Sequence, residues 1–210
     1  MSFWNWLQEN TNWIQVEGGG DIEENSNKIA AEFEKYFPNL NWEIEITDEG
    51  PWFFILSADG EIEKFAEVLT AFQDAPEMPQ WVVLPFRQPG SLDLDVEVAG
   101  RTLTYNDIWC EIEVVEMEDH LGIELTLLIR GLTEENEDEM ADAAFLLLDN
   151  AVGEFDAATR ICEVAVATLD EEPEESNDFF PLAELPDFIE RLGEMEAEGE
   201  EEGDFDSEDE

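Results

Sequence analysis

Along the chain, apolar positions recur first with the period of a helix and then with that of a strand. Phe3, Trp6, Leu7, Trp13 and Ile14 share one helical face and predict a short amphipathic helix over residues 3–16. Gly18, Gly19 and Gly20 end it, and Asp21 is placed to cap a second helix with Glu24 three residues on. Ile22, Ile29, Phe33, Tyr36 and Phe37 form the stripe of that second helix, which Pro38 stops. Residues 1–38 therefore read as an N-terminal helical pair.

Alternation then takes over. Trp42, Ile44 and Ile46 interleave with Glu43 and Glu45, a strand pattern followed by a turn at residues 48–51 and an apolar run over residues 52–56. Ile62, Phe65, Val68, Leu69 and Phe72 fall on one face of a helix introduced by Asp59-Gly60 and closed by Pro76 and Pro79. Residues 81–86 predict a third strand. Leu92, Leu94, Val96 and Val98 alternate with Asp93, Asp95 and Glu97, and Ala99-Gly100-Arg101 reads as a hairpin tip. Residues 108–116 and 121–129 predict two longer antiparallel strands joined near His120. Thr133 is placed to cap a long helix through Met140, Ala144, Leu147, Leu148 and Val152, and residues 161–169 predict a last strand.

Helices and strands mix without strict alternation and without a convincing internal repeat. The fold class expected is α+β: a mainly antiparallel sheet with helices packed on one face, and a disordered acidic C-terminal tail. One globular domain is expected over residues 1–170. An acidic linker with a short helix follows over residues 171–192, and the tail occupies residues 193–210.

Composition alters this picture in one respect. A hydrophobic fraction of 43%, with seven Trp and fourteen Phe, is ample for a packed core. Charge is the anomaly, because 57 acidic residues face 8 basic ones for a formal net charge of −49. Such self-repulsion favours a soluble monomer and selects cationic partners: a basic protein, or weakly and non-specifically bound divalent ions such as Ca²⁺ and Mg²⁺ on the tail. It excludes nucleic acid and anionic membrane faces, whose affinity comes from Lys and Arg. The N-terminus has no basic and then apolar stretch of the secretory kind, and no apolar run approaches a membrane span, so the expected location is the cytoplasm. In that reducing compartment Cys110 and Cys162, each in an apolar run, read as two buried thiols.

The candidate chemistry is sparse. Cys110 and His120, the lone histidine, could meet across a hairpin with Asp107 or Asp119 as orienter. An anionic field, however, disfavours a thiolate, and Cys110 reads more simply as a core residue. Ser57-Ala58-Asp59-Gly60 lacks the glycines of a nucleophile elbow, and Asp59 as a helix cap accounts for it. No phosphate loop, CxxC or HExxH is present, so no catalytic residue, metal ligand or cofactor is assigned. Trp4, Trp6 and Trp13 read as helix-packing residues, with an exposed aromatic anchor as the sharper alternative.

Several stretches together resemble a family of small, uncharacterised bacterial cytoplasmic proteins. They are the opening Phe3-Trp4-Asn5-Trp6, then Leu56-Ser57-Ala58-Asp59-Gly60, Ala75-Pro76 with Pro79-Gln80-Trp81, and Pro85-Phe86-Arg87-Gln88-Pro89. Leu132-Thr133-Glu134-Glu135-Asn136 and the run from Leu147 to Phe155 complete the set. The resemblance implies a bacterial cytoplasmic protein and carries no activity; the acidic tail is not part of it.

The position of the charge remains informative. Glu43, Glu45, Asp93, Asp95, Glu97, Glu111 and Glu113 all take the solvent-facing parity of their strands. Were these strands neighbours, one sheet face would be a field of carboxylates, arranged at some cost to stability. The leading expectation is an anionic interaction protein of the immunity-protein, antitoxin or nuclease-inhibitor kind, binding a basic partner by electrostatic steering and occlusion through those seven residues. The alternatives are a housekeeping protein of a salt-adapted bacterium, and a small cytosolic enzyme with an unrecognised cleft. Few lysines favour salt adaptation; an excess of Glu over Asp, 39 to 18, speaks against it.

Overall fold

The computed structural model describes residues 2–14, 22–47, 50–117, 120–170, 176 and 178–203. It forms an α+β protein of two compact units, Met1–Arg87 and Gln88–Glu210, where the sequence reading drew a single domain over residues 1–170. Acidity is unequal between them. Unit 1 contains 17 acidic and 4 basic residues, and unit 2 contains 40 and 4.

Unit 1 begins with helices α1 (Phe3–Ile14) and α2 (Ile22–Phe33). The Ser2 hydroxyl caps α1 by accepting from the Asn5 N–H at 3.3 Å. The glycine run and the Asp21 cap lie outside the described residues. Strand β1 (Asn41–Glu45) pairs antiparallel with β2 (Trp52–Ser57); helix α3 (Phe65–Gln73) then crosses over, and β3 (Trp81–Pro85) returns parallel to β2. A parallel return needs such a crossover, since a tight turn can only join antiparallel strands. Phe54, fully buried, sits at the centre of an aromatic core, with the rings of Phe3, Trp4, Phe33, Trp42 and Trp81 centred 5.4–6.2 Å from its own. Trp81 donates its indole N–H to the buried Thr11 hydroxyl at 2.7 Å. Trp4 is therefore packing, as its spacing implies, and Trp6 stacks on Phe3 at 6.0 Å.

Asp59 does not cap a helix. Its backbone is left-handed (φ 50°) in the turn after β2, and the helical path restarts at Ile62–Lys64 as a 3-10 turn without a side-chain cap.

Unit 2 opens with a hairpin, β4 (Val96–Val98) and β5 (Arg101–Leu103). Its tip, Ala99 (φ 50°) and Gly100 (φ 74°), has the two positive φ angles of the turn that matches strand twist. The strand is shorter than the alternation from Leu92 implies: Leu92 and Leu94 are exposed and non-strand, because Asn150 holds this loop through the Ser91 and Gly90 backbone. Strands β6 (Ile108–Glu116) and β7 (Leu121–Arg130) pair antiparallel as expected. Helix α4 (Glu137–Arg160) is two helical segments meeting at Gly153, whose φ of 76° breaks the ladder. Its cap position is Asn136, not Thr133; the Asn136 side chain instead accepts from the Thr133 N–H at 2.7 Å. Strand β8 (Ile161–Leu169) follows, parallel to β7. Strand β9 (Phe179–Pro181), absent from the sequence reading, adds to the other side of β6 and gives the order β8-β7-β6-β9.

Helix α5 (Leu185–Gly203) continues past Gly193, where the tail was expected to begin; residues 204–210 lie outside the description. One face of the four-stranded sheet packs on α4 and α5 through Ile108, Cys110, Leu125, Leu127, Met140 and Leu147. Each unit thus contains the same strand–strand–helix–strand path, a repeat carried by topology and not by residue identity. Among the described residues no helix is long and apolar enough to cross a membrane.

Candidate functional site

The sheet face of unit 2 opposite α4 and α5 is open around Glu111 and Glu113, while Trp109, of the same parity, is buried. Strand alternation sends Ile108, Cys110 and Ile112 into the core and leaves Glu111 and Glu113 on the open side. On β7 the same alternation buries Ile123, Leu125 and Leu127 and exposes Glu124. The register then does what neither strand does alone. Glu113 stands directly opposite Glu124, and Glu124 directly opposite Glu163 of β8, so three carboxylates form one row across three strands. Glu111 lies one step along the same face, opposite Thr126, with Phe179 of β9 beyond it. With Asp178 these residues line a hollow of about 520 Å³ whose floor includes Thr126 and Ala165.

Among the described residues no Lys or Arg stands in the row. Of the unit's four arginines, Arg101 and Arg130 are turned to Asp107, Arg160 donates to the Leu121 carbonyl at 3.0 Å, and Arg191 lies over the Phe188 ring. Directly opposed like charges cost roughly 0.2–1 kcal/mol per pair.

The seven residues picked from sequence are spread over three sheets and a loop. Glu43 and Glu45 are on β1 in unit 1, Asp93 and Asp95 are in the loop before β4, Glu97 is on β4, and Glu111 and Glu113 are on β6; β1, β4 and β6 belong to three separate sheets. Glu43 is already engaged: Arg87 Nη1 lies 3.3 Å from it, 2.8 Å from Asp59 Oδ1 and 3.0 Å from the buried Ser57 hydroxyl. Glu97 accepts from the Thr102 hydroxyl across its hairpin. Glu111 and Glu113 are joined by Glu124, Glu163 and Asp178, whereas Glu97 lines a separate, shallower hollow with Glu139 and Asp142. Glu124 and Glu163 were missed because each is a single acid inside an apolar run, Ile123-Glu124-Leu125 and Cys162-Glu163-Val164. A lone acid in such a run marks the open face of its strand, and that was the signal available.

The catalytic alternative does not assemble. Cys110 is fully buried against the helices, and burial pushes its thiol pKa far up, away from thiolate chemistry. His120 sits at the far end of the hairpin, its Nε2 2.8 Å from the Thr159 carbonyl. Cys162, expected to be buried, is exposed. The β7–β8 register slips there, leaving Cys162 as the bulged residue, with its Sγ 3.4 Å from Met117 Sδ over Gly122. Among the described residues no group of three His, Cys, Asp or Glu side chains is placed to hold a metal. Elsewhere in unit 2, burial raises the Asp156 pKa, an effect that the nearby Arg160 partly offsets.

Compared with protein-family models, curated proteins and solved structures, the chain matches none of them. The functional reading accordingly rests on the geometry of this face.

Proposed function

We propose that the protein is a cytoplasmic anionic interaction module that binds and occludes a basic partner protein, in the manner of an immunity protein, antitoxin or nuclease inhibitor. The observation that carries this reading is the uninterrupted row Glu113–Glu124–Glu163, flanked by Glu111 and Asp178 on an open, hollowed sheet face. A face of one sign raises the encounter rate of an oppositely charged partner by roughly 10–10³-fold, with steep salt dependence. The apolar and small residues between the acids, Thr126, Ala165 and Phe179, supply the contact that excludes water once the partner has arrived. The partner-binding set is thereby Glu111, Glu113, Glu124, Glu163 and Asp178, and the acids of β1 and of the loop before β4 belong to the general anionic background.

The test is stopped-flow association with cationic proteins of the same genome at low and high salt. Replacing Glu111, Glu113, Glu124 and Glu163 together by Gln is expected to slow association by at least about tenfold. Replacing Glu45, Asp93 and Asp95 by their amides is expected to leave it nearly unchanged. Association that ignores salt, or that responds equally to the two sets, rules the reading out.

A further inference from the structure

Strand β8 ends the four-stranded sheet: it has β7 on one side and, among the described residues, no strand on the other. Its outer edge is long and unguarded. From Glu163 to Leu169 there is no proline, lysine or arginine, the devices that usually keep an edge from pairing, and the only irregularity is the bulge at Cys162, which marks where the regular edge begins. Burial also fades toward this edge. Leu125, Leu127 and Ile129 of β7 are fully buried, whereas Val164 and Val166 opposite the first two are only half covered and Thr168 opposite the third is exposed.

We infer that the free edge of β8 receives an extended basic segment of the partner as an added fifth strand, along Glu163–Leu169. This rests on the acidic-face reading above and specifies the partner's form. Strand addition takes its affinity from main-chain hydrogen bonds and its selectivity from alternate side chains. On the acidic side the incoming strand's side chains lie beside Glu163, next in line to Glu124 and Glu113, and cations there extend an all-negative row with opposite charge. On the other side the incoming residues lie beside Val164 and Val166, and apolar groups there complete the half-covered margin of the core. The segment recognised therefore places Lys or Arg beside Glu163, with Ala165 and Ala167 following on that face, and apolar residues beside Val164 and Val166 on the other. A second copy of this chain is the poorer occupant, since it would bring the forty acids of unit 2, Glu163 among them, against their like.

The test uses the full-length protein and a synthetic nonapeptide of alternating Lys and Val, measured by fluorescence anisotropy at low salt. A block peptide of the same composition, all Lys then all Val, controls for charge alone. Two further peptides are N-methylated on the even or on the odd residues, which removes the N–H groups of one edge at a time. The alternating peptide is expected to bind about tenfold or more tightly than the block peptide. One methylated series is expected to lose about tenfold or more, and the other to bind like the parent.

Equal binding of both methylated series, or loss of both, overturns strand addition. If both bind and the Glu113→Gln, Glu124→Gln, Glu163→Gln triple variant still weakens them, the acidic face stands and the edge does not. If the triple variant binds every peptide as the parent does, the acidic-face reading itself fails. Sedimentation of the unliganded protein as a dimer that the alternating peptide cannot dissociate also overturns the inference, because the edge is then filled by a second copy.

Discussion

Glu124 is the most informative single position in the molecule, because it is opposed by a carboxylate on each side. Replacing it by Gln keeps shape and hydrogen-bonding capacity while removing both like-charge pairs. At roughly 0.2–1 kcal/mol per directly opposed pair, the two sum to about 0.4–2 kcal/mol. Exposure to solvent screens the interaction and places the expected gain in the lower half of that range. A unit of this size gains on the order of 4 °C in Tm per kcal/mol, so a rise of about 2–4 °C is expected in low-salt buffer. The spacing of the row is shorter than the Debye length of about 10 Å at 0.1 M salt and longer than the roughly 3 Å at 1 M, so the gain shrinks as salt is added. Urea unfolding of the parent, Glu124→Gln, Glu113→Gln and the double variant measures this as a coupling energy. The reasoning is refuted if Glu124→Gln is neutral or destabilising at low salt, or if its effect does not fall at 1 M.

Four other outcomes follow from the structure. Thiol titration of the native protein should label Cys162 quickly and Cys110 only on unfolding, as seen by mass spectrometry of the labelled peptides. Arg87→Ala should destabilise unit 1 by about 1–3 kcal/mol in a urea melt, because Asp59, Glu43 and the buried Ser57 hydroxyl lose a shared charged donor; Arg87→Lys recovers only part, lacking the fork. Phe54→Ala should cost about 3–5 kcal/mol and collapse the near-ultraviolet aromatic signal of unit 1. The raised pKa of Asp156 means that protonation favours the folded form: its relief is complete below the ordinary carboxyl value of 3.8 and is lost as pH rises through the raised one. Asp156→Asn should therefore stabilise at neutral pH and converge with the parent in acid, measured by Tm against pH.

Legibility in the sequence followed the range of the interactions involved. Helix α1 and strands β1, β2, β3, β6 and β7 were readable because apolar residues recur at 3.6 or 2 positions, a property local to each segment. The β6–β7 pairing was readable because a short connection at His120 permits little else. Pairings between distant segments were not. The parallel return of β8 onto β7 and the addition of β9 to β6 depend on tertiary contacts, and Phe179-Phe180-Pro181 is too short to carry a period. The same limit governed the site. Parity correctly put Glu111 and Glu113 on an open face, yet which acids stand beside them is set by register, and register brought in Glu124 and Glu163 while leaving Glu43 and Asp93 elsewhere. Leu92 and Leu94 mimicked a strand because alternation cannot tell a strand from a loop tied down by Asn150.

The duplicated strand–strand–helix–strand path has a consequence for synthesis. In each unit the antiparallel hairpin can close as soon as its two strands exist, whereas the parallel strand must wait for the crossover helix, so the slow step falls late in each half. Translation at about 5–20 residues per second delivers the aromatic N-terminal half roughly ten seconds before the last strands of the acidic half. The nascent chain therefore exposes the less acidic half first, and the forty carboxylates of the second half emerge after it.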